Sequence, residues 1–287
     1  MEGMEASPKV FVIILNFDGR TRLVAALRSV FSLSYDNFEV VVVDNASKDG
    51  SIEEAKRLFP KAHFILNPDN VGFAAGMNVG IRFALSRGAA FLFLLNNDAV
   101  CHRSTLSRLV SVAVSSGSGS LLSPIIRKKD GMTWFSGGKI DFLRMRTVHV
   151  EQRKKPGKEP YRTGYLSGCA LLLPKSAIER VGLLDEGYFL YYEDADYSVR
   201  AKRKGYRLLV VPEAEVVHEE QSVSNPEKTY WLVRSGVRFF VRHTPWYFRP
   251  WVWAYLRLRK VKNAIDVSRG KKEALPVSSA YADSRTA

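Results

Sequence analysis

Cysteine is scarce in this 287-residue chain, which has only Cys101 and Cys169. Two thiols cannot make a disulfide framework, and neither sits in a C-x-x-C pair, so a reducing compartment is expected. No window reaches the roughly 18 uninterrupted apolar residues of a spanning helix. The first nine residues carry acids and lack an apolar h-region, so no signal peptide is expected and a cytosolic location follows. Gly-rich phosphate loops are missing too. The turn after the first apolar run reads Asn16-Phe17-Asp18-Gly19-Arg20 rather than G-x-G-x-x-G, and no G-x-x-x-x-G-K-[ST] occurs. A dehydrogenase or a P-loop NTPase therefore has little support. No internal repeat appears.

What the chain has is enough apolar residue for a full core, at 46% hydrophobic and 25% charged. One large domain with an appendage fits its length. The net charge of +14 is lopsided: from Lys228 onward stand 13 Lys/Arg against 3 Asp/Glu, which is +10 of that total. Such asymmetry points to an anionic partner for the C-terminal segment.

Residues 9–16, 39–43, 63–67 and 90–95 are apolar runs fit for strands buried on both faces. Between them, 20–33, 52–59 and 75–86 have helical spacing, and Asp49-Gly50-Ser51 reads as a cap before Glu53 and Glu54. Strands alternating with helices imply a parallel sheet with right-handed crossovers, hence an α/β fold. Further on, 104–114 is expected as helix, 115–120 as loop, 168–173 as strand, 194–204 as helix and 206–211 as strand. Residues 131–164, polar, basic and Gly/Pro-rich, are expected as hairpins or a flap outside the core.

Polar residues cluster where these strands end. Asp44 and Asn45 close one, Asn96-Asn97-Asp98 another, Glu193-Asp194-Ala195-Asp196 opens a helix, and His218 follows a strand. Ligands of open α/β sheets bind beyond the carboxyl ends of strands. With no Gly-rich loop, a metal held by carboxylates is the other common way to neutralise a diphosphate, so this is read as a sugar-nucleotide site. Each residue also has a plainer reading: Asp44 as a turn residue, Asp98 as a cap, His218 as a structural histidine, and the 193–196 acids as first-turn acids serving the helix dipole.

Several motifs in order resemble one family. They are Ile14-Leu15-Asn16-Phe17-Asp18-Gly19, residues 43–51, residues 70–78, Leu94-Leu95-Asn96-Asn97-Asp98, Ser167-Gly168-Cys169-Ala170, residues 182–186, residues 191–196 and His218. Together they resemble the inverting nucleotide-sugar glycosyltransferases of family 2, GT-A fold, particularly rhamnosyltransferase-like bacterial members, over about residues 9–222.

The resemblance implies a mixed, mostly parallel central sheet flanked by helices. It implies a domain over 1–225, with a nucleotide half at 9–100 and an acceptor and catalytic half at 101–225. By the same resemblance Asp194 is the base with Glu193 beside it, and Asn16, Phe17, Asp44, Asn70, Gly72, Asn78, Asn97, Gly168 and Asp196 contact the nucleotide-sugar. Asp98 and His218 would hold Mn2+ or Mg2+, although Asn96-Asn97-Asp98 keeps only one carboxylate of the family's D-x-D. The implied donor is dTDP-rhamnose, or else a UDP-hexose, and the acceptor a polysaccharide or lipid-linked glycan.

Residues 226–269 read as a basic, aromatic, amphipathic helical appendage, and 270–287 as a disordered tail. Over 237–262, Trp, Tyr and Phe alternate with Arg and Lys, which suits the anionic inner face of the cell membrane. An equally simple reading packs these helices back on the catalytic body. Nucleic acid is disfavoured, because no RNP, KH or zinc signature appears and the acids would repel phosphate. A nucleotidyltransferase would open with a Gly-rich loop, and a non-catalytic sugar-nucleotide binder would not need the Glu193-Asp194 pair.

Overall fold

Strand β1 (Val10–Asn16) is buried at every position, so it can only lie inside a sheet covered on both faces. The computed structural model describes residues 7–117, 119–151, 157–219 and 225–284, and there β1 is central. It pairs in parallel with β2 (Phe38–Asp44) and with β4 (Phe91–Asn96). β2 in turn pairs with β3 (His63–Leu66). The crossovers are α1 (Arg20–Val30), α2 (Ser51–Leu58) and α3 (Phe73–Ser86). Register sets the polar residues level: Asn16 faces Asp44 across one ladder, and Leu15 faces Asn96 across the other.

Beyond β4 the sheet turns mixed. After β5 (Ala99–Cys101) and α4 (Thr105–Ser115) comes β6 (Ser120–Lys128), a nine-residue strand that the sequence pattern hid behind Ser123-Pro124. β7 (Thr133–Phe135) pairs with β6, while β8 (Gly138–Asp141) and β9 (Arg146–His149) form a separate hairpin. β10 (Tyr161–Arg162) edges the large sheet, and β11 (Ala170–Pro174) lies antiparallel to β4. Helices α5 (Lys175–Val181) and α6 (Glu193–Arg203) then lead to β12 (Arg207–His218). The strand expected at 206–211 thus runs on to His218. A bulge between Val211 and Glu215 admits Pro212, which has no N–H for the ladder. The sheet order is β10-β12-β6-β11-β4-β1-β2-β3, with β5 on β12 and β7 on β6.

Two expectations are corrected here. Residues 131–164 are not all outside the core: Phe135 is fully buried and Trp134 packs against the core cluster. Asp49 does not cap α2 by its side chain from the N-cap position. That position is Gly50 at φ 76°, and Asp49 instead accepts from the Ser51 and Arg20 backbone N–H groups.

The C-terminal segment forms α7 (Pro226–His243), α8 (Arg249–Ser268) and α9 (Leu275–Asp283). Asn225 caps α7 by accepting from Lys228 N at 2.6 Å, with Pro226 at the first position where no N–H is needed. α7 packs on the catalytic body through Phe239 and Phe240, both fully buried, worth roughly 1.5–3 kcal/mol each by area. The tail expected to be disordered is helical through Asp283. Ala280 and Tyr281 are buried, and Tyr281 joins the small core of Val252 and Leu256, which explains its order. Residues 285–287 of that tail lie outside the described residues. Among the described residues no helix is long and apolar enough to cross a membrane.

Candidate active site

The carboxyl ends of β1 and β4, the start of α6 and the end of β12 surround a cleft of about 660 Å³. The turn that presents α6 is strained. Tyr191 and Tyr192 sit consecutively in the left-handed region, at φ 67° and 68°, which bulky residues adopt only when their surroundings force them to. Those surroundings include Ser235, whose Oγ donates to the Leu190 carbonyl at 2.7 Å, and Gly236, where a Cβ would come 3.2 Å from the Tyr192 ring.

The turn brings Glu193 and Asp194 into the cleft wall. One Asp194 oxygen accepts from Gly168 N at 2.9 Å and the other from Ala195 N at 2.6 Å. Burial raises the Asp194 pKa, while these backbone donors pull it down. Glu193 is only 6% exposed and its Oε2 has no partner. Burial and then the Asp194 charge push it well above the carboxylate range. Two adjacent acids in one dry site share their titration. Both carboxyls are held above the usual carboxylate range, Glu193 the further because the backbone donors go to Asp194.

Across the cleft, the antiparallel register of β12 with β5 sets His218 opposite Ala99, next to Asp98. His218 Nε2 lies 3.1 Å from Asp98 Oδ1. By strict hydrogen-bond geometry Asp98 Oδ1 has no partner among the described residues, and neither has His218 Nδ1 on the other side of the ring. Burial would raise the Asp98 carboxyl, but His218 and then Arg22 hold it low. For His218, burial acts downward, yet Cys169 and Asp98 push it up to about 11. Among the described residues no three His, Cys, Asp or Glu side chains are grouped to hold a metal. Asp98 and His218 offer two donors with orphaned atoms, which fits a Mg2+- or Mn2+-type ion that takes its remaining oxygens from phosphate and water.

The other expected residues divide. Phe17, Asn70, Gly72, Asn97 and Gly168 line the cleft. Asn70 Oδ1 accepts from Gly72 N at 3.0 Å and from Asn45 Nδ2 at 3.1 Å, so Asn45, expected at a strand end but given no individual role, organises this rim. Gly168, besides lining the cleft, donates its N–H to Asp194.

Asn16, Asp44, Asn78 and Asp196, all expected to contact the nucleotide-sugar, are buried and absent from the cleft wall. The Asp44 oxygens accept from Asn16 Nδ2 at 2.8 Å, Ser47 Oγ at 2.6 Å and Ser47 N at 2.9 Å. Asn16 accepts from Asn97 at 2.9 Å, and its carbonyl accepts from Asn45 N. Asn78 donates to Leu184 O and Glu186, pinning the 184–186 loop. Asp196 binds Arg200 and His243. Buried polar groups must be satisfied, and in these four the protein itself supplies the partners.

Trp134, Thr147 and His149 of the β7–β9 region also line the cleft, as do Arg22 and Lys228. Trp134 packs edge-on against His218 at 4.8 Å. The polar, Gly-rich run that carries these aromatics gave no pattern from which to single them out.

The sequence model described as "Glycosyl transferase family 2" matches residues 11–182. The N-acetylglucosaminyl-diphospho-decaprenol L-rhamnosyltransferase of Mycobacterium tuberculosis is 26% identical over 267 residues, covering 81% of this chain and 86% of that protein. The dTDP-rhamnosyl transferase RfbF of Shigella flexneri is 23% identical, covering 79% and 78%. Among solved structures, the mannosyltransferase of Pyrobaculum calidifontis in complex with GDP-Man and Mn2+ aligns with a TM-score of 0.62 at 18% identity, over 99% of this chain and 76% of that one. GalNAc-T7 with UDP, GalNAc and Mn2+ aligns with a TM-score of 0.64 at 17% identity, and this chain spans 58% of its length. The chain belongs to glycosyl transferase family 2 and is an inverting glycosyltransferase of the GT-A fold.

Proposed function

We propose that this transferase moves L-rhamnose from dTDP-rhamnose onto a hydroxyl of a lipid-linked glycan, with a divalent metal. The observation that carries the reading is the cleft itself, which is lined by Asp194, held by two backbone N–H donors, by the buried Glu193 and by the Asp98–His218 pair. The choice of sugar and acceptor is supported by the names of the rhamnosyltransferases it resembles.

In this reading the acceptor hydroxyl lies against Asp194, which takes its proton as the oxygen attacks the anomeric carbon. Attack from the face opposite the nucleotide inverts that centre. Asn70, Gly72, Phe17 and Asn97 line the donor side, while Asn16 holds Asn45 and Ser47, and Asp44 holds Ser47, by hydrogen bonds. Asp98 and His218 would hold Mn2+ or Mg2+, which when bound supplies positive charge to the departing diphosphate. Arg22, on the same wall, adds a guanidinium. Trp246 at 78% and Tyr247 at 68% exposure, among Arg249 and further cations, fit contact with the anionic inner face of the cell membrane, where a lipid-linked acceptor would be met.

Nucleotide release from dTDP-rhamnose, UDP-glucose, UDP-galactose, UDP-GlcNAc and GDP-mannose, with Mn2+, Mg2+ or EDTA, tests this. Metal-dependent release from dTDP-rhamnose alone is the expected result. Release from a UDP-hexose instead would overturn the donor assignment.

A further inference from the structure

Residues 131–164 have the composition of a polar, Gly-rich flap, yet they build one wall of the catalytic cleft. Trp134 is aimed there by an irregularity in the sheet. Ile126 pairs with Phe135 and Arg127 with Thr133, so Trp134 is the extra residue of a bulge in β7. Bulges re-aim side chains beside active sites. Phe135 goes to the core, while Trp134 stays half-buried on the cleft.

The wall continues through His149 to Tyr165. The Trp134 ring lies 4.8 Å from that of His218 and 4.4 Å from that of His149, which in turn lies 6.1 Å from Tyr165. Two glycines seat the tyrosine. A Cβ on Gly138 would fall 2.1 Å from its ring, and one on Gly164 would fall 2.6 Å from the Gly138 carbonyl oxygen. At the far end the Tyr165 and Tyr192 hydroxyls both approach Thr147. Burial first, and the Asp194 charge next, push the Tyr165 phenol up, so it stays a hydrogen-bond donor.

This wall runs from the Asp98–His218 pair to the neighbourhood of Asp194. In an inverting transfer the diphosphate leaves one side of the anomeric carbon and the base stands beyond the other, so the transferred sugar lies along the wall. That placement rests on the reading above, which puts the diphosphate at Asp98–His218 and the attack at Asp194. Two positions flank the anomeric carbon of a hexose: C2, which carries a hydroxyl, and C5, reached across the ring oxygen. In a 6-deoxy sugar the C5 substituent is a bare methyl, which an indole covers without stranding a polar group. The aromatic end of the wall is the end at the diphosphate, and its hydroxyls are at the other. We propose that Trp134 reads the C5 substituent of the transferred sugar, while Thr147 and Tyr165 bond the sugar's hydroxyls nearer the base.

Hydrolysis of dTDP-L-rhamnose and of dTDP-L-mannose, which differ only by a C6 hydroxyl, tests this, with dTDP affinity measured by calorimetry on the same samples. An apolar pocket separates such pairs by up to about a hundredfold, so wild type should favour rhamnose at least about tenfold in kcat/KM. Trp134→Gln should collapse that preference with dTDP affinity unchanged, and Trp134→Phe should keep it. Melting temperatures check that the variants fold. Equal use of both sugars by wild type overturns the assignment without any variant. A preference unchanged in Trp134→Gln overturns it too, and leaves the donor reading standing. So does equal loss on both sugars with a shifted Mn2+ titration, since Trp134 would then only prop the His218 ring. If a UDP-hexose is the donor instead, the donor reading falls. Trp134 is then judged on that sugar and its 6-deoxy form: a ratio moved by Trp134→Gln keeps the assignment, and an unmoved one removes it. Tyr165→Phe, which deletes one oxygen and keeps the ring, should lower kcat/KM for both sugars alike by about tenfold. Unchanged turnover in that variant would overturn the hydroxyl contact.

Discussion

His243 Nε2 lies 2.7 Å from Asp196 Oδ1, and both side chains are essentially excluded from solvent. The contact joins the C-terminal helix α7 to the catalytic helix α6, two residues beyond Asp194. The appendage thus braces the helix that carries Asp194, and Lys228 and Leu232 of α7 also line the cleft. Burial raises the Asp196 carboxyl, but His243 and Arg200 outweigh it and hold the pKa below its usual value. A depressed carboxylate stabilises the fold above the unfolded pKa, and that stability is lost as pH falls through the folded value. Removing one partner of a buried pair costs about 3–5 kcal/mol. His243→Ala should therefore lower the melting temperature at pH 7 and lower turnover, with a smaller melting difference from wild type below about pH 4. A melting temperature equal to wild type at pH 7 would show that the contact does not hold α7 to α6.

Glu193 behaves in the opposite sense. Its raised pKa means that stability is fully present below the unfolded value and declines as pH rises toward the folded one. Glu193→Gln copies the protonated acid, so this variant should melt higher than wild type at pH 8 and keep transfer within about tenfold. Hundredfold loss of transfer with unchanged nucleotide affinity would instead make Glu193 the base.

Metal binding should release a proton. In the free protein His218 is held protonated by its surroundings, Asp98 among them, and the imidazole must be neutral to coordinate. Apparent Mn2+ affinity should rise about tenfold per pH unit between pH 6 and 8, measured by calorimetry in buffers of different ionisation enthalpy. His218→Ala should weaken the metal dependence of donor hydrolysis. Affinity independent of pH, or a metal titration unchanged in the variant, would remove His218 from the shell.

Gly72 sits at φ 84°, where a Cβ would come 2.5 Å from the Phe189 carbonyl oxygen. Its neighbour Phe73 donates to that same oxygen at 2.6 Å, so the rim of the donor side is clamped to the 187–192 loop. Gly72→Ala should cost about 1–3 kcal/mol in backbone strain alone and shift both loops. Lower melting temperature together with weaker nucleotide binding is expected; unchanged nucleotide affinity would detach the clamp from donor binding.

The first half of the fold was legible because its strands are uniformly apolar and end in Asn16, Asp44 and Asn96, and the register of β1 with its neighbours brings those ends level. Glu193, Asp194, Asp98 and His218 do meet in one cleft, as their positions after strands and before a helix suggested. Periodicity failed where a partner outside the local sequence decides the structure. β6 contains Pro124 yet holds its place between β12 and β11. Asp196 carries the same charge as Asp194, but the helical turn points it at His243, a residue 47 positions later. The tail after Arg269 is small and polar, and its contacts with distant helices give it order, Tyr281 on Val252 and Leu256 and Ala274 and Ser278 on Asn263. Trp134 and His149 reach the cleft on hairpins whose composition alone resembles loop.

Asp194→Asn is the variant that bears most directly on the account. Purified enzyme and variant would be compared for sugar transfer from dTDP-rhamnose, with nucleotide affinity measured by calorimetry on the same samples. General-base catalysis contributes about 10²–10⁴-fold, so the variant should lose at least a hundredfold in turnover while binding nucleotide within a few fold of wild type. Near-normal turnover by a folded, nucleotide-binding Asp194→Asn protein would contradict it.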